Sequence, residues 1–140
     1  MSEIDALLGF QVIRLCKAHR QRMEEALNQL GLHVGQELLL LHLWKEDGVP
    51  QSQLAEAMGV DISTTTKTVQ RMERTGLLKR SQDAEDARIS RVYLTEQGRA
   101  LHEPVMEVWK ASEVQLVQGL TETEQVLLRR LLLHLTTNLS

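Results

Sequence analysis

The spacing of Ala55, Gly59 and Asp61 restricts the possible folds of this 140-residue sequence more than any other feature. A small residue at Ala55 lets two helices approach each other, and Gly59 permits a left-handed turn between them. Asp61 is a favourable N-cap for the second helix. This arrangement predicts a helix-turn-helix, with a first helix over 50–58 and a second over 61–75.

The apolar pattern changes after the second of these helices. Two short runs with strand character, 77–80 and 90–94, flank a polar segment at 82–87. In the second run Val92 and Leu94 alternate with Arg91 and Tyr93, as in a half-buried strand. A β-hairpin beside a helix-turn-helix predicts a winged helix. The alternative for the two helices alone is an αα-hairpin with a polar face.

Helical patterns also precede and follow this central part of the chain. Apolar residues at three- and four-residue spacing predict a long first helix over 4–30 and a buried helix over 34–46. A fifth helix is expected over 95–119, and a capping box at Thr121 begins the last one. The last helix is apolar over more than one stripe, which predicts a second buried face and hence a partner chain.

The distribution of charge fits nucleic acid better than the net charge of -3 does. The stretch 62–91 contains seven Lys or Arg residues and four Asp or Glu residues, whereas acidic residues predominate towards the C-terminus. No apolar run approaches the roughly 18–20 residues of a membrane span. The start of the sequence lacks the basic segment of a secretory signal. We therefore expect a cytoplasmic protein with no membrane contact.

The exposed side of the second motif helix carries residue types that contact double-stranded DNA. The N-terminal part of such a helix enters the major groove, where hydroxyls, amides and cations meet base edges or phosphates. The residues expected to bind DNA there are Ser63, Thr64, Thr66, Lys67, Gln70 and Arg71. Thr65 and Thr68 occupy positions where apolar side chains usually face inward, so their hydroxyls need partners.

The hairpin adds a second expected DNA contact. Arg88 is the candidate for the adjacent minor groove. Asp86 lies two residues earlier and is expected to orient the Arg88 guanidinium. The alternative is an ordinary solvated charge pair in a turn.

The sequence resembles the multiple antibiotic resistance regulator (MarR) family over residues 33–100. The resemblance rests on residues 53–61 and 69–80, and most specifically on a D-x-R wing at 86–88 and an L-T-x-x-G start of the next helix at 94–98. It implies a homodimer whose terminal helices interlock and whose two winged regions bind a pseudo-palindromic site. It also implies repression, commonly relieved by a small ligand or by oxidation.

We accordingly expect a mainly α fold with a small β-hairpin wing, a winged helix-turn-helix with N- and C-terminal dimerisation helices. The parts of this one intertwined domain would be an N-terminal dimerisation helix at 1–32, the DNA-binding region at 33–98 and C-terminal dimerisation helices at 99–140. The expected function is a sequence-specific DNA-binding regulator, a repressor released by a small ligand. The alternative is a helical protein-interaction module. No phosphate loop or nucleophile elbow occurs, so we expect no enzyme and no cofactor.

A small aromatic or phenolic effector is a further expected partner. In proteins that resemble this one, a pocket lies between the dimer helices and the winged region. Its lining here would be Phe10, Ile13, Arg14, Trp44 and Trp109, with Arg14 meeting the carboxylate of an aromatic acid. The alternative is that both tryptophans belong to the core.

Metal-responsive and redox-responsive members of the same family are the remaining alternatives. The peroxide-sensing branch carries a cysteine early in its first helix, where this sequence has Gly9. The single cysteine, Cys16, lies two turns later. The zinc-sensing branch pairs histidines four residues apart on the fifth helix, but His102 is followed at that spacing by Met106. We therefore expect no metal site.

Overall fold

The computed structural model describes residues 2–140, so Met1, the first residue of the predicted region 1–32, lies outside the described residues. A 3₁₀ turn at Ile4–Ala6 precedes seven α-helices and three β-strands in this part of the chain. The helices are α1 (Leu8–Asn28), α2 (Gln36–Lys45), α3 (Gln51–Met58), α4 (Ile62–Arg74), α5 (Glu96–Ala100), α6 (His102–Leu116) and α7 (Glu122–Leu139). The strands are β1 (Val49–Pro50), β2 (Leu78–Gln82) and β3 (Ser90–Leu94). The predicted mainly helical, winged helix-turn-helix fold is confirmed.

The wing contains a third strand that the sequence pattern does not predict. β1 pairs antiparallel with β3, so the strand order is β1-β3-β2, with Val49 opposite Val92. A strand of two residues is too short to show the alternation of a half-buried strand. Just before it, the Asp47 carboxylate accepts hydrogen bonds from the Leu94 backbone N–H at 2.8 Å and from Arg99 at 2.9 Å. The turn between α2 and α3 is therefore attached to the hairpin and to α5.

The predicted single helix over 95–119 is wrong, because the chain forms two helices, α5 and α6, separated at Leu101. Pro104 supplies the physical reason. Proline has no N–H, and its ring clashes with the carbonyl four residues earlier, here that of Ala100. The first predicted helix is also interrupted, because Leu7 is extended at φ -80° and ψ 135°.

The hydrophobic core lies between α1, α2, α6, the helix-turn-helix and the sheet. Its buried residues include Met23, Leu27, Leu39, Leu40, Leu43, Leu54, Val69, Met72, Leu78, Val92, Leu94 and Val105. Burying one such side chain contributes about 1.5–3 kcal/mol. This shared core holds α4 and the wing on one scaffold, and α2 is the central buried helix that its apolar run predicts.

A close backbone approach joins α5 to the hairpin. Thr95 caps α5 by accepting the Gly98 N–H at 3.1 Å, and its hydroxyl donates to the Gly76 carbonyl at 2.6 Å. A Cβ at Gly98 would collide with the Leu77 carbonyl oxygen, so glycine is required there. The Trp44 indole donates to the Gly98 carbonyl at 3.1 Å and thereby attaches α2 to the same junction.

The terminal helices leave large apolar side chains uncovered within residues 2–140. None of the α7 residues is buried. The exposed apolar residues of α7 and of the beginning of the chain are Ile4, Leu7, Leu8, Val12, Ile13, Leu15, Val126, Leu127, Leu131, Leu132, Leu133, Leu135 and Leu139. Monomeric proteins rarely expose contiguous apolar patches above a few hundred Å². Among the described residues, no helix combines the length and apolarity needed to span a bilayer.

Candidate nucleic-acid interface

The start of α4 is built as the sequence predicts. Gly59 ends α3 in the left-handed conformation, with φ 67°. The Asp61 carboxylate then accepts the Thr64 backbone N–H at 2.7 Å and the Ser63 hydroxyl at 2.8 Å. These hydrogen bonds stabilise the charged carboxylate and hold the pKa of Asp61 below its usual value. The capped end of α4 therefore has a defined geometry before any DNA is present.

One side of α4 is buried and the other is exposed, as the predicted DNA-facing side requires. Thr65, Val69 and Met72 are buried against the core. The predicted DNA-binding residues lie on the other side, with Thr66 half-buried and Ser63, Thr64, Lys67, Gln70 and Arg71 exposed. The structure thus brings all six onto one accessible side of the helix. Their role in DNA binding stays a prediction.

The two threonines that interrupt the apolar side of α4 have partners within the helix. The Thr65 hydroxyl donates to the Asp61 carbonyl at 3.2 Å, and the Thr68 hydroxyl donates to the Thr64 carbonyl at 3.1 Å. Each bond spans four residues, so the polar atoms are satisfied locally while the methyl groups remain available for packing.

The hairpin presents Arg88 in the arrangement that the sequence predicts. Its Nε donates to Asp86 Oδ1 at 3.0 Å and its Nη2 donates to Oδ2 at 3.1 Å. The Arg88 side chain is nevertheless 90% exposed. The guanidinium holds the pKa of Asp86 below its usual value, and the carboxylate raises the pKa of Arg88. Asp86 thus orients a cation that remains open to solvent.

Sequence reasoning did not identify a second ion pair of the wing, between Arg91 and Asp83. Arg91 Nε donates to Asp83 Oδ1 at 2.7 Å, and Arg91 Nη1 donates to the Gly48 carbonyl at 2.8 Å. The strand register pairs Ser81 with Arg91, and the Asp83 N–H donates to the Ile89 carbonyl, so Asp83 and Arg91 are diagonal neighbours. The sequence signal for this pair is an acidic and a basic residue on the same face of the predicted hairpin. Pairing them requires the register of β2 and β3, which the sequence analysis did not supply.

The interface carries basic side chains that are not held in ion pairs. Of the seven cations in 62–91, Arg80 pairs with Glu73 at 2.7 Å, while Arg88 and Arg91 pair within the wing. The other four have no acidic side chain within 4.0 Å among the described residues, and all are exposed: Lys67, Arg71, Arg74 and Lys79. These side chains are available to phosphate groups.

The five predicted effector-pocket residues differ in exposure and lie on three helices, α1, α2 and α6. Ile13 and Arg14 are exposed, whereas Phe10, Trp44 and Trp109 are half-buried. Five well-defined cavities of residues 2–140 are lined by other residues, among them one of about 450 Å³ between α1 and α6. The effector pocket therefore stays a prediction.

Both tryptophans pack against the hydrophobic core, each beside a different histidine. Trp44 lies edge-on against His102 with ring centroids 4.9 Å apart, and Trp109 lies 5.8 Å from His19. Cys16 is an exposed free thiol on α1. Across residues 2–140 no three His, Cys, Asp or Glu side chains are grouped to hold a metal ion.

Known proteins share both the sequence pattern and the fold. A MarR family model matches residues 32–90. The organic hydroperoxide resistance transcriptional regulator of Bacillus subtilis (strain 168) is 33% identical over 106 residues, which are 76% of this chain and 72% of that protein. The HTH-type transcriptional regulator TtmR of Methylorubrum extorquens (strain PA1) is 31% identical over 98 residues, 70% of this chain, and this chain spans 50% of its length.

The structural similarity extends over nearly the whole chain. The crystal structure of a probable transcriptional regulator from Pseudomonas aeruginosa has a TM-score of 0.86 at 28% identity, covering 95% of this chain and 99% of that one. Together with the exposed α4 and the wing, this similarity defines a DNA-binding transcriptional regulator of the winged helix-turn-helix class. Within that class, the chain belongs to the MarR family.

Proposed function

We propose that this chain is a repressor that binds a pseudo-palindromic operator as a homodimer and is released by a small ligand. The observation that carries the DNA-binding part is the uncovered side of α4, with Lys67 and Arg71, which are not held in ion pairs among the described residues. The Arg88–Asp86 pair on the hairpin supports a second contact in the minor groove. Short hydroxyls and amides between the cations suit base edges.

Two proteins with the same fold were solved with DNA bound. MepR of S. aureus, 24% identical with a TM-score of 0.87, was solved as a DNA complex. A MarR mutant from E. coli, 22% identical with a TM-score of 0.84, was solved with operator DNA. Identities at this level show a shared fold. The support for the DNA-binding residues therefore comes from the exposure and charge of α4 in this chain.

The homodimer is supported by the uncovered apolar surface of α7 and of the start of the chain. Burial of apolar surface stabilises by about 25 cal/mol per Å², and a stable interface needs roughly 1,000 Å² or more. The domain organisation proposed from the sequence fits this assignment. Regions 1–32 and 99–140 contribute the exposed apolar residues of the terminal helices, while 33–98 contributes most of the core.

An aromatic acid is the proposed effector class, with Arg14 as the cation for its carboxylate. BpsR of Bordetella bronchiseptica, whose DNA binding is regulated by 6-hydroxynicotinic acid, shares the fold with a TM-score of 0.86. In this chain the buried Trp109 Nε1 has no hydrogen-bond partner among the described residues. Because an unpaired buried donor is costly, an acceptor from a ligand or a second chain would stabilise it.

The effector proposal is tested by titrating salicylate while following tryptophan fluorescence and DNA release. We expect both signals to change together, because the only two tryptophans are Trp44 and Trp109. The Arg14→Ala variant should need a higher salicylate concentration. No response at millimolar salicylate would argue against a phenolic pocket and leave the DNA-binding assignment intact.

The DNA-binding assignment is tested by selecting bound fragments from a random-sequence duplex pool and measuring their affinity at two salt concentrations. We expect one enriched, two-fold related sequence, and an affinity that falls steeply with salt because phosphate contacts release counterions. A protein that enriches no sequence and shows no salt-dependent binding would be a helical protein-interaction module. Sequencing the enriched fragments would also identify the operator.

A further inference from the structure

We propose that Arg91 is a positioning residue for DNA binding, which ties the hairpin to the turn before α3 and thereby sets the place of Arg88. This inference rests on the proposed DNA-binding function. Arg91 itself is a poor phosphate ligand, because its guanidinium is already engaged by Asp83 and Gly48 and its side chain is only 33% exposed. Its proposed role is therefore to connect the hairpin to the turn before α3.

One end of the connection is fixed to the helix-turn-helix scaffold. Arg91 Nη1 donates to the Gly48 carbonyl at 2.8 Å, and the Gly48 N–H donates to the Val92 carbonyl at 3.0 Å. Gly48 has φ 71°, and a Cβ there would stand 2.7 Å from the Tyr93 ring. The acceptor of Arg91 is thus held by backbone pairing, by a glycine conformation and by a close aromatic side chain.

The other end reaches the tip of the hairpin. Asp83 binds Arg91 with one carboxylate oxygen, and its second oxygen accepts the N–H groups of Glu85 at 3.1 Å and Asp86 at 2.9 Å. Asp86 in turn binds Arg88. These contacts keep the pKa of Asp83 below its usual value, with the Arg91 hydrogen bond as the largest cause. A continuous series of hydrogen bonds therefore runs from Gly48 to the Arg88 guanidinium.

The series separates two properties of the wing. The turn at the tip is closed by Asp83 and the backbone, so it persists when Arg91 is removed. Strand pairing places the hairpin as far as Gln82 and Ser90, and beyond these residues the position of the turn relative to α4 depends on the Arg91 bridge. The charge-assisted bonds of this bridge are about twice as strong as neutral ones. Without Arg91, Asp86 should still orient the Arg88 guanidinium, but the position of the hairpin tip should be less restricted. Binding of Arg88 to DNA would then cost more conformational entropy.

The experiment is a double-mutant cycle on a DNA fragment that the wild-type protein selects from a random-sequence duplex pool. We expect Arg91→Ala to weaken binding about tenfold in the wild-type background and less than about twofold in the Arg88→Ala background. Such non-additivity shows that Arg91 acts through Arg88. Equal losses in both backgrounds, or no loss in either, would overturn the proposal.

Two variants separate positioning from bulk charge. Asp83→Asn removes a negative charge near DNA and retains an oxygen for the backbone N–H groups of the turn. Positioning predicts weaker binding for this variant, whereas bulk electrostatics predicts tighter binding. Lys79→Ala is the matched charge-loss control on β2, and its effect should be the same with and without Arg88. Asp83→Asn binding more tightly than the wild type would overturn the proposal.

Thermal unfolding of each protein distinguishes a loss of DNA binding from a failure of the variant to fold. If Arg91→Ala is unfolded, Arg91→Lys replaces it, because the single ammonium nitrogen of lysine cannot reproduce the geometry of the two guanidinium nitrogens that bind Asp83 and Gly48. The same cycle with Arg88→Ala then decides. If the wild-type protein selects no sequence, the proposed function fails and the positioning role fails with it. An enriched sequence with an additive cycle overturns the positioning role alone.

Discussion

The carboxylate of Asp86 receives three hydrogen bonds from Arg88, from Nε at 3.0 Å, from Nη2 at 3.1 Å and from the backbone N–H at 3.0 Å. The aspartate therefore fixes both the side chain and the local backbone of the arginine. A free arginine on a loop loses considerable side-chain entropy when it docks. Much of that ordering is already present in this hairpin.

Arg88→Ala should weaken binding across many sequences and reduce the salt slope by about one unit, as expected for one electrostatic contact. Asp86→Ala should also weaken binding, although it removes a negative charge near DNA. Affinities of both variants at several salt concentrations test this pair. Tighter binding by Asp86→Ala would mean that only the bulk charge of the wing matters.

The exposed side of α4 should provide most of the sequence preference. Lys67→Ala should weaken operator binding by roughly 1–3 kcal/mol without unfolding the protein, since the lysine is exposed and unpaired among the described residues. Lys110→Ala on α6 removes another exposed lysine, one that pairs with exposed Glu107 at 3.6 Å, and should leave operator affinity unchanged. Unchanged affinity for Lys67→Ala combined with Thr66→Ala would refute the assigned DNA-facing side.

Two glycines should respond differently to alanine. Gly98→Ala should destabilise by about 3 kcal/mol, because the new Cβ meets the Leu77 carbonyl oxygen, which cannot turn aside. Gly59→Ala meets no atom within 4 Å but has φ 67°, so its cost should be about 1 kcal/mol from backbone strain alone. Gly9→Ala, which has open space and an ordinary φ, is the control for chemical denaturation. The reverse order of stabilities would contradict the close-approach argument.

The cap of α4 should make stability depend on pH in a predictable direction. The folded-state pKa of Asp61 lies below its usual value of 3.8 because the Thr64 N–H and the Ser63 hydroxyl bind the carboxylate. Its stabilisation is therefore fully present above the unfolded pKa and is lost as the pH falls through the folded pKa. The Tm difference between wild type and Asp61→Ala should shrink on acidification below about pH 4. Asp61→Asn caps without titrating, and its Tm should lack this part of the pH dependence.

The uncovered apolar residues of α7 should bury themselves in a second copy of the chain. Analytical ultracentrifugation at micromolar concentration should show a homodimer. Leu131→Glu combined with Leu135→Glu should shift the equilibrium to monomer and weaken operator binding, because charged side chains are costly in an apolar interface. Wild-type protein that sediments as a monomer would remove the basis for a two-fold related site.

Local signals account for the parts of the fold that the sequence predicted well. Gly59 and Asp61 act on their immediate neighbours, so both the turn and the start of α4 follow from residue type alone. Pro104 also carried a local signal for the break at Leu101, and a helix over 95–119 overlooked it. β1 could not be predicted, because its two residues form a strand only by pairing with β3.

The candidate site also combines features that local sequence predicts with features that depend on the packing of distant segments. The side of α4 that faces outward follows from helical periodicity, and Asp86 lies close enough to Arg88 for their contact to be expected. Arg91 and Gly48 are 43 positions apart, so their hydrogen bond depends on how the hairpin packs against the preceding turn. The predicted effector-pocket residues lie on α1, α2 and α6, and no sequence pattern predicts whether these helices face one another.

The turn at Asp47 and Gly48 holds α5 through Arg99 and the hairpin through Arg91 and Val92. The hairpin and α5 are thus connected at one short stretch of backbone, the turn that leads from α2 into β1 and α3. In a dimer each half would move as a rigid body, so the adjustable quantity is the separation of the two halves. Half-sites lie about 34–36 Å apart along the duplex. If an effector changed this separation by a few Å, one half of the dimer could bind its half-site, but the other half would no longer be aligned with the major groove.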